Sequence, residues 1–265
     1  MEYAICTVAA APVRKEAGHR SEMVSQLLFG ETMEVLETNE EWLRVRAIYD
    51  QYEGWLTSHL VIPIDKTIAM QQVDYIATSL INPVTLPDQL INAPMGASLT
   101  GYDEETRLLW DQKYKYHGTF RDIRKPFDME LLWKTVRSWI NAPYLWGGRT
   151  FLGVDCSGFV QVTFKVLGIR LLRDAWQQAT QGNSVNNLKE AKPGDLAFFH
   201  NDNGRIIHVG IVLSENQIIH ASGKVRIDNI DAEGIINNDT GKRTHWLHSL
   251  RRVLGNDLEK GFGRM

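Results

Sequence analysis

Cys156 is one of only two cysteines in the 265-residue chain, and it stands in the segment Asp155-Cys156-Ser157 after a glycine-rich loop. The segment that follows, SGFVQVTFKVLG, is typical of a buried helix that ends at Gly168. A thiol at the N-terminus of a helix is favoured in its charged form by the helix dipole. Cys156 is therefore a candidate nucleophile, whereas Cys6 has no accompanying motif and is expected to be a core residue.

A cysteine nucleophile needs a histidine that accepts its proton and a third polar group that orients this histidine. His208 lies in the apolar run IIHVGIV, and His220 lies in QIIHAS after a short turn at 214–216. Strands joined by such a turn pair as a hairpin, so both imidazoles can reach one face. A cysteine on a helix with histidines on adjoining strands is a papain-like arrangement.

The two histidines also admit other interpretations. His220 could be a packing residue of its strand. A metal site at His208 and His220 lacks convincing further Cys, Asp or Glu ligands nearby, so no metal and no cofactor is expected. His245 and His248 have i, i+3 spacing in a run that continues to Arg251-Arg252, and this pattern indicates a solvated face or a strand edge.

The elements around these residues predict an α+β domain over residues 127–265. Residues 129–140 have helical spacing of apolar residues, with Asp128 as a candidate N-cap and Pro143 as a stop. Three strand-like runs follow the cysteine helix, at 195–199, 207–213 and 217–221. Helices that precede an antiparallel sheet are typical of the α+β class.

The first half of the chain is expected to be β structure. Residues 1–63 contain short strands at 4–11, 23–29, 32–37, 42–46 and from 54 onward, which suggests a small barrel. The Leu-Phe-Gly-Glu turn and the final Gly-Trp resemble the bacterial SH3-like domains attached to cell-wall enzymes. Residues 64–126, with PMGASLTGYDEETRLLW, are similar to a second, degenerate SH3-like copy.

Composition excludes several classes of protein. The net charge of −3 and the absence of a long basic run argue against a nucleic-acid partner. Two cysteines exclude a disulfide scaffold and a four-thiolate zinc site. No apolar stretch approaches the ~20 residues of a membrane span. Glu2 and the short first apolar run do not fit a signal peptide, so a cytoplasmic location is expected, with a trimmed leader as the alternative.

An ordered set of motifs in the second half resembles the NlpC/P60 cell-wall cysteine peptidases: PYLWGGRTFLGVDCSGFVQ, RDAWQQATQG, KPGDLAFFH, HVGIVL and IIHAS. The resemblance implies hydrolysis of the γ-D-glutamyl bond to lysine or diaminopimelate in murein (peptidoglycan) stem peptides. It assigns Cys156 as the nucleophile, His208 as the general base and His220 as the orienting residue. Tyr144 matches the tyrosine of the oxyanion site, where its phenol would act beside the Cys156 backbone N–H.

Family members with two SH3-like domains ahead of the catalytic domain resemble this chain most, and their first SH3-like domain closes one end of the cleft. The resemblance then implies a substrate with a free N-terminal L-Ala, bound by Asp155 and Ser157. Tyr52 and Glu53 are candidates to complete that pocket, against the alternative that both are ordinary turn residues. Ala175 stands where the family often has the serine of an Arg-Asp-Ser motif, so any contact of that hydroxyl is in question here.

The predicted protein is thus a dipeptidyl-peptidase that releases L-Ala-γ-D-Glu, with an endopeptidase of intact wall as a variant. Its predicted architecture is a papain-like NlpC/P60 domain after two SH3-like β-barrels. The alternative from another class is a catalytically inactive module that binds murein peptides. The oligomeric state and the choice between lysine and diaminopimelate stay open.

Overall fold

A computed structural model describes residues 1–255, which form two compact units. The first unit comprises residues 1–125 together with 145–153, and the second comprises 126–144 together with the described residues from 154 onward. None of the helices within residues 1–255 is long and apolar enough to cross a membrane.

The N-terminal part of the first unit is a seven-stranded antiparallel sheet with the spatial order β3-β2-β6-β5-β4-β1-β7. Its strands are β1 (Tyr3–Cys6), β2 (Ala10–Arg14), β3 (Met23–Leu28), β4 (Thr32–Asn39), β5 (Trp42–Ala47), β6 (Glu53–Thr57) and β7 (Val61–Pro63), with a 3-10 helix at Ser58–Leu60. The prediction of one strand over 4–11 is wrong, because residues 7–9 separate β1 from β2. Alternate side chains such as Val13, Val45 and Leu56 form one apolar core, and Cys6 lies in it as predicted.

Residues 64–125 form one short helix and five short strands around an aromatic core, in agreement with the β structure expected for the first half of the chain. They form helix α1 (Lys66–Ala69) and strands β8 (Tyr75–Ala77), β9 (Ile81–Leu86), β10 (Gln89–Pro94), β11 (Lys115–Tyr116) and β12 (Phe120–Asp122). Phe29, which directly follows β3 of the N-terminal sheet, belongs to this core. Gly30 (φ +74°) follows it, and a Cβ there would lie 1.9 Å from the Ser98 carbonyl oxygen. The two parts of the first unit are thus in direct backbone contact.

The second unit packs helices on a curved sheet. Its helices are α2 (Met129–Ser138), α3 (Cys156–Val166) and α4 (Ala175–Gln178). Between α2 and α3 the chain forms two short strands: β13 (Arg149–Thr150) belongs to the first unit, and β14 (Gly153–Val154) spans the point at which the chain returns to the second unit. The sheet has the order β15-β21-β16-β17-β18-β19-β20, and β21 also pairs with β20. Its strands are β15 (Asn183–Val185), β16 (Leu196–His200), β17 (Ile206–Ser214), β18 (Gln217–Ser222), β19 (Lys224–Asp231), β20 (Gly234–Ile236) and β21 (Arg243–Arg252). The β20–β21 pairing closes the sheet on itself.

The local signals of this unit predicted helices α2 and α3, whereas the short helix α4 was not predicted. Asp128 caps α2, since its Oδ1 accepts a hydrogen bond from the Leu131 N–H at 2.8 Å. The helix ends at Ser138, two residues before the predicted end. Gly168 follows α3 with φ +83°, the left-handed conformation that a glycine after a helix adopts. The sheet-rich α+β class is confirmed.

Candidate active site

Helix α3 begins at Cys156 because the residue before it is an effective N-cap. The Asp155 carboxylate accepts a hydrogen bond from the Gly158 N–H at 2.6 Å. Every residue of α3 is buried, so the helix is fixed by packing along its whole length. Cys156 is its first residue, and the backbone N–H groups of a first helical turn have no partner within the helix. These N–H groups are the donors that an oxyanion at the thiol would need.

The Cys156 thiol is buried against strand β17. Burial, with a smaller contribution from the Asp155 charge, raises the pKa of the thiol to about 12, and a backbone hydrogen bond from Val209 acts in the opposite direction. Helix α3 packs on β17 and β18, and Val209 directly follows His208 in β17. The nucleophile and the histidine strands are therefore brought together by tertiary packing.

His208 and His220 lie on the same face of the β17–β18 hairpin. Gly210 of β17 is opposite His220 of β18, so His208, two residues before Gly210, shares that face. A Cβ at Gly210 would lie 3.0 Å from the His220 Cβ, so the absence of a side chain there makes room for the imidazole. His208 Nε2 and His220 Nδ1 are 2.8 Å apart, which is a hydrogen bond.

Asp228 of β19 extends this pair, and the sequence pattern did not reveal it. Its Oδ2 is 2.9 Å from His220 Nε2, and its Oδ1 accepts hydrogen bonds from Arg226 Nη2 and the Asn238 N–H, each at 2.9 Å. Burial raises the pKa of Asp228, but the hydrogen bonds from these three groups outweigh it and hold the pKa well below its usual range. Asp228 is therefore a buried carboxylate that stays ionised.

The pattern of β19 explains why Asp228 is hidden in the sequence. In KVRIDNID, simple alternation with Val225 would turn Ile227 inward and Asp228 outward. The structure has the reverse, with Asp228 buried and Ile227 36% exposed. The buried carboxylate is stable there because His220 and Arg226 supply its partners.

Asp228 also determines which nitrogen of His208 can accept a proton. An ionised carboxylate only accepts hydrogen bonds, so the neutral form of the His220 ring has its proton on Nε2. His220 Nδ1 is then an acceptor, and His208 donates to it from Nε2. The unprotonated nitrogen of His208 is consequently Nδ1, and this lone pair is the one that can take the proton of a thiol.

The nucleophile and its base are electrically neutral in the resting protein. Burial lowers the pKa of His208 well below its ordinary value, and the neighbouring His220 and His245 lower it further. The pKa of Cys156 is raised in the same surroundings. Both shifts favour a thiol beside a neutral imidazole, so proton transfer accompanies attack on a substrate.

His245 belongs to this cluster, and its interpretation as part of a solvated face or strand edge is wrong. Its ring stacks on that of His208, with centroids 4.1 Å apart and an angle of 27° between the planes. Burial lowers the pKa of His245 to about 4, with a further contribution from His220. His248, three residues on, is exposed as expected.

His208 and His245 are neutral in the folded protein. We therefore expect the free energy of unfolding of the metal-free protein to fall on acidification between pH 6.5 and about 4. In the unfolded chain His208 and His245 take up a proton below their ordinary pKa, whereas in the folded protein both imidazoles stay neutral to a lower pH. Unfolding then takes up protons, and each one lowers the free energy of unfolding by about 1.4 kcal/mol per pH unit. Carboxylates with lowered pKa values, such as Asp228 and Asp231, add a loss mainly below about pH 4.

Urea unfolding at several pH values in buffer with EDTA measures this slope. His245→Phe should reduce this slope by about 1.4 kcal/mol per pH unit, the contribution of one proton, whereas His248→Phe should leave the slope unchanged. An equal slope for wild type and His245→Phe would contradict the assignment of His245.

Asp155 and Ser157, the residues predicted to bind the amino end of a substrate, flank the nucleophile and share one arginine. Arg173 donates from Nη1 and Nη2 to the two Asp155 carboxylate oxygens at 3.1 and 2.6 Å, and from Nη1 to Ser157 Oγ at 2.9 Å. All three side chains are buried. In the sequence Arg173 stands out only as part of the altered Arg-Asp-Ser motif, and its role beside Asp155 needed the tertiary structure.

Tyr144 also lies in the second unit, near the thiol. Burial raises the pKa of its phenol, and the neighbouring Cys156 and Asp155 raise it further. A phenol that stays protonated is a hydrogen-bond donor, as an oxyanion site requires.

The other two predicted residues, Tyr52 and Glu53, belong to the first unit. Tyr52 is half-buried, and its N–H donates to Asp50 Oδ1 at 3.1 Å. Hydrogen bonds from Arg46 and Arg44 lower the pKa of Glu53, against a smaller effect of burial. The contact of either residue with a substrate stays a prediction.

A buried thiol at a helix N-terminus, with two histidines and a carboxylate in line, defines the second unit as a cysteine hydrolase domain. The model of the NlpC/P60 family matches residues 141–244, and the model described as the bacterial dipeptidyl-peptidase Sh3 domain matches residues 13–59. The chain therefore belongs to the NlpC/P60 family of cysteine peptidases, which act on peptidoglycan, and it carries an N-terminal SH3-like domain of the dipeptidyl-peptidase type.

Individual relatives agree with this assignment. The probable endopeptidase NlpC of Escherichia coli (strain K12) is 46% identical over 89 residues, which span 33% of this chain and 57% of that protein. Its homologue from Haemophilus influenzae is 34% identical over 154 residues, 56% of this chain and 79% of that one. The gamma-D-glutamyl-L-lysine dipeptidyl-peptidase of Bacillus subtilis (strain 168) is 28% identical over 213 residues, 74% of this chain and 71% of that protein.

A solved structure shows the same fold. The crystal structure of an NlpC/P60 family protein from Bacillus cereus superposes with a TM-score of 0.80 and 20% identity, over 96% of this chain and 100% of that chain.

Proposed function

We propose that this protein is a cysteine dipeptidyl-peptidase that hydrolyses the bond between γ-D-glutamate and an L-diamino acid in murein peptides with a free N-terminal L-Ala. The product would be L-Ala-γ-D-Glu. The observation that carries the peptidase chemistry is the buried Cys156 with the His208–His220–Asp228 series. The dipeptidyl specificity is supported by the SH3 domain type and by the likeness to the Bacillus subtilis dipeptidyl-peptidase.

The proposed reaction follows from the proton positions in the site. His208 Nδ1 takes the proton of Cys156 as the sulfur attacks the carbonyl carbon of the γ-glutamyl bond. The Cys156 N–H and the Tyr144 phenol donate to the resulting oxyanion. The His208 imidazolium then protonates the amine of the diamino acid, which leaves, and water hydrolyses the thioester by the reverse sequence of proton transfers.

The amino end of the substrate would lie at Asp155 and Ser157, with Tyr52 and Glu53 as the contribution of the first unit. Asp155 is paired with Arg173, and Glu53 with Arg44 and Arg46. An ammonium group would therefore meet carboxylates whose charge is already compensated, and its position would depend on hydrogen-bond geometry more than on net charge.

The architecture that goes with this function is a papain-like catalytic domain after two SH3-like domains, of which residues 64–126 are the degenerate second copy. The backbone contact of this segment with the first domain, at Gly30 and Ser98, supports a role as a structural spacer. A substrate with a free amino end is a short released peptide, so the protein would act in the recycling of murein peptides.

The test is the cleavage of L-Ala-γ-D-Glu-L-Lys and of its N-acetylated form by wild type and by Cys156→Ala. The same peptide with meso-diaminopimelate, and an isomer with an α-linked glutamate, complete the set. We expect release of L-Ala-γ-D-Glu from the free-amine, γ-linked peptides only, and complete loss of this release in Cys156→Ala.

The other outcomes distinguish the alternatives. Equal cleavage of the acetylated peptide would indicate an endopeptidase and would remove the requirement for a free amino end. Calorimetry could instead show that wild type and Cys156→Ala bind the peptides alike, while neither protein cleaves them. This result would contradict the proposal and would favour a binding module.

A further inference from the structure

We propose that His208, His220 and His245 form a binding site for a divalent transition-metal ion such as Zn²⁺, and that its occupation switches off the catalytic base. Each of the three rings offers one nitrogen, and these nitrogens lie within 4.8 Å of one another. The rings come from the strands β17, β18 and β21, so the cluster exists only in the folded unit. Three imidazoles form a ligand set that Zn²⁺ and similar ions accept.

The surroundings of the rings are those of metal-binding histidines. Such histidines usually hold their second nitrogen in a hydrogen bond to a carboxylate or another polar group, which directs the first nitrogen at the metal. His220 Nε2 is bound by the ionised Asp228, which directs Nδ1 into the cluster. His245 Nδ1 is 2.9 Å from Thr244 Oγ1, which leaves Nε2 as the nitrogen that can bind an ion.

The movement needed to bind an ion is small. Zn–N bonds of about 2.0–2.1 Å place two tetrahedral ligand nitrogens roughly 3.3 Å apart. His208 Nε2 and His220 Nδ1, now 2.8 Å apart, would separate by about half an ångström. His245 is half-buried, so rotation of its side chain out of the stack can bring its nitrogen to the ion.

Binding would remove the features that make His208 a base. The ion takes the place of the proton between His208 Nε2 and His220 Nδ1, and this proton moves to His208 Nδ1, so that the imidazole stays neutral. His208 Nδ1 then has no lone pair with which to accept the Cys156 proton. His220 binds the metal instead of orienting His208 by a hydrogen bond.

The experiment is calorimetric titration with Zn²⁺ of untagged protein, first stripped of metal with EDTA and then freed of the chelator. It uses the Cys156→Ala background, so that the nucleophilic thiol cannot bind the ion. His245→Phe keeps an aromatic ring against His208 but removes the third ligand, and His248→Phe is the matched control on the same strand. We expect one Zn²⁺ site in Cys156→Ala, an affinity at least tenfold lower after His245→Phe, and no change after His248→Phe.

Co²⁺ gives an independent measurement, since its visible absorption reports tetrahedral coordination by nitrogen, and this spectrum should disappear with His245→Phe. Equal Zn²⁺ affinity with and without His245, or no binding by Cys156→Ala, would overturn the proposal. Neither titration requires a substrate, so the result is separate from that of the cleavage test. As a functional consequence, we expect Zn²⁺ to inhibit cleavage by the wild type. With each rate taken relative to the metal-free rate of the same protein, inhibition of His245→Phe should be weaker by tenfold or more.

Discussion

Asp228→Asn is expected to lower kcat by roughly 10³- to 10⁴-fold, the size of effect seen when a catalytic histidine is held in the wrong tautomer. Arg226 Nη2 and the Asn238 N–H both donate to Oδ1, so the oxygen of the new amide would occupy that position. Its NH₂ group would then face His220 Nε2 and donate to it. His220 would carry its proton on Nδ1, and His208 would be left with its proton on Nδ1, where it cannot accept the proton of a thiol.

A merely structural role of Asp228 would give a different set of results. Asp231→Asn is the matched control, because Asp231 stands on the same strand but pairs with Arg243. We expect this control to stay within a few-fold of wild type. Long-range ¹H–¹⁵N spectra of the histidine side chains should show the tautomer change of His220 in Asp228→Asn. A rate within tenfold of wild type, or an unchanged His220 tautomer, would refute the assignment.

Arg149→Met is expected to destabilise the first unit by about 3–5 kcal/mol, because it leaves the Glu31 carboxylate buried without its cation. The two groups form two parallel contacts, Arg149 Nη1 to Glu31 Oε2 at 2.8 Å and Nη2 to Oε1 at 2.9 Å. Both side chains are at most 2% exposed. Arg149 Nη1 also donates to the Gln26 carbonyl at 2.6 Å, so the arginine attaches residues 145–153 to strand β3.

A double-mutant cycle with Glu31→Leu measures this interaction through urea unfolding of the four proteins. We expect the double variant to be more stable than Arg149→Met alone, since replacement of both charges removes the unpaired carboxylate. Arg46→Met is the control at the partly exposed pair with Glu53, where the loss should stay near or below about 1 kcal/mol. A loss below about 1 kcal/mol for Arg149→Met would show that Glu31 finds other compensation.

Asp228 and Glu31 are buried carboxylates that are stabilised in different ways. In the second unit, hydrogen bonds keep Asp228 ionised. This carboxylate fixes the tautomer of His220 and through it that of His208, which accepts the proton of the nucleophile. In the first unit, Glu31 and Arg149 compensate each other and hold a loop that leads toward the Asp155-Cys156 segment. Each carboxylate is costly to bury without a partner. Removal of a partner is therefore expected to have a larger effect than the contact area of that partner suggests.

The sequence by itself determined the local parts of the site. The glycine-rich loop before Cys156, the buried helix after it and the glycine that ends this helix are all local signals, so the chain's own pattern places Cys156 at a helix N-terminus. The two strand-like runs around His208 and His220, with one short turn between them, predicted a hairpin in which both imidazoles can reach one face, and the register of the hairpin confirms it. Such features depend on residues that are close in the chain, so the periodicity of the sequence predicts them.

Only the tertiary structure decided the partners that come from distant strands. The β20–β21 pairing closes the sheet and brings His245 against His208, although the local pattern of charges around His245 indicated a solvated edge. Asp228 is buried against the alternation of its own strand because His220 and Arg226 are there to pair with it. Hydropathy measures the average cost of burying a side chain, and that cost is reversed when a specific partner is supplied by another part of the fold.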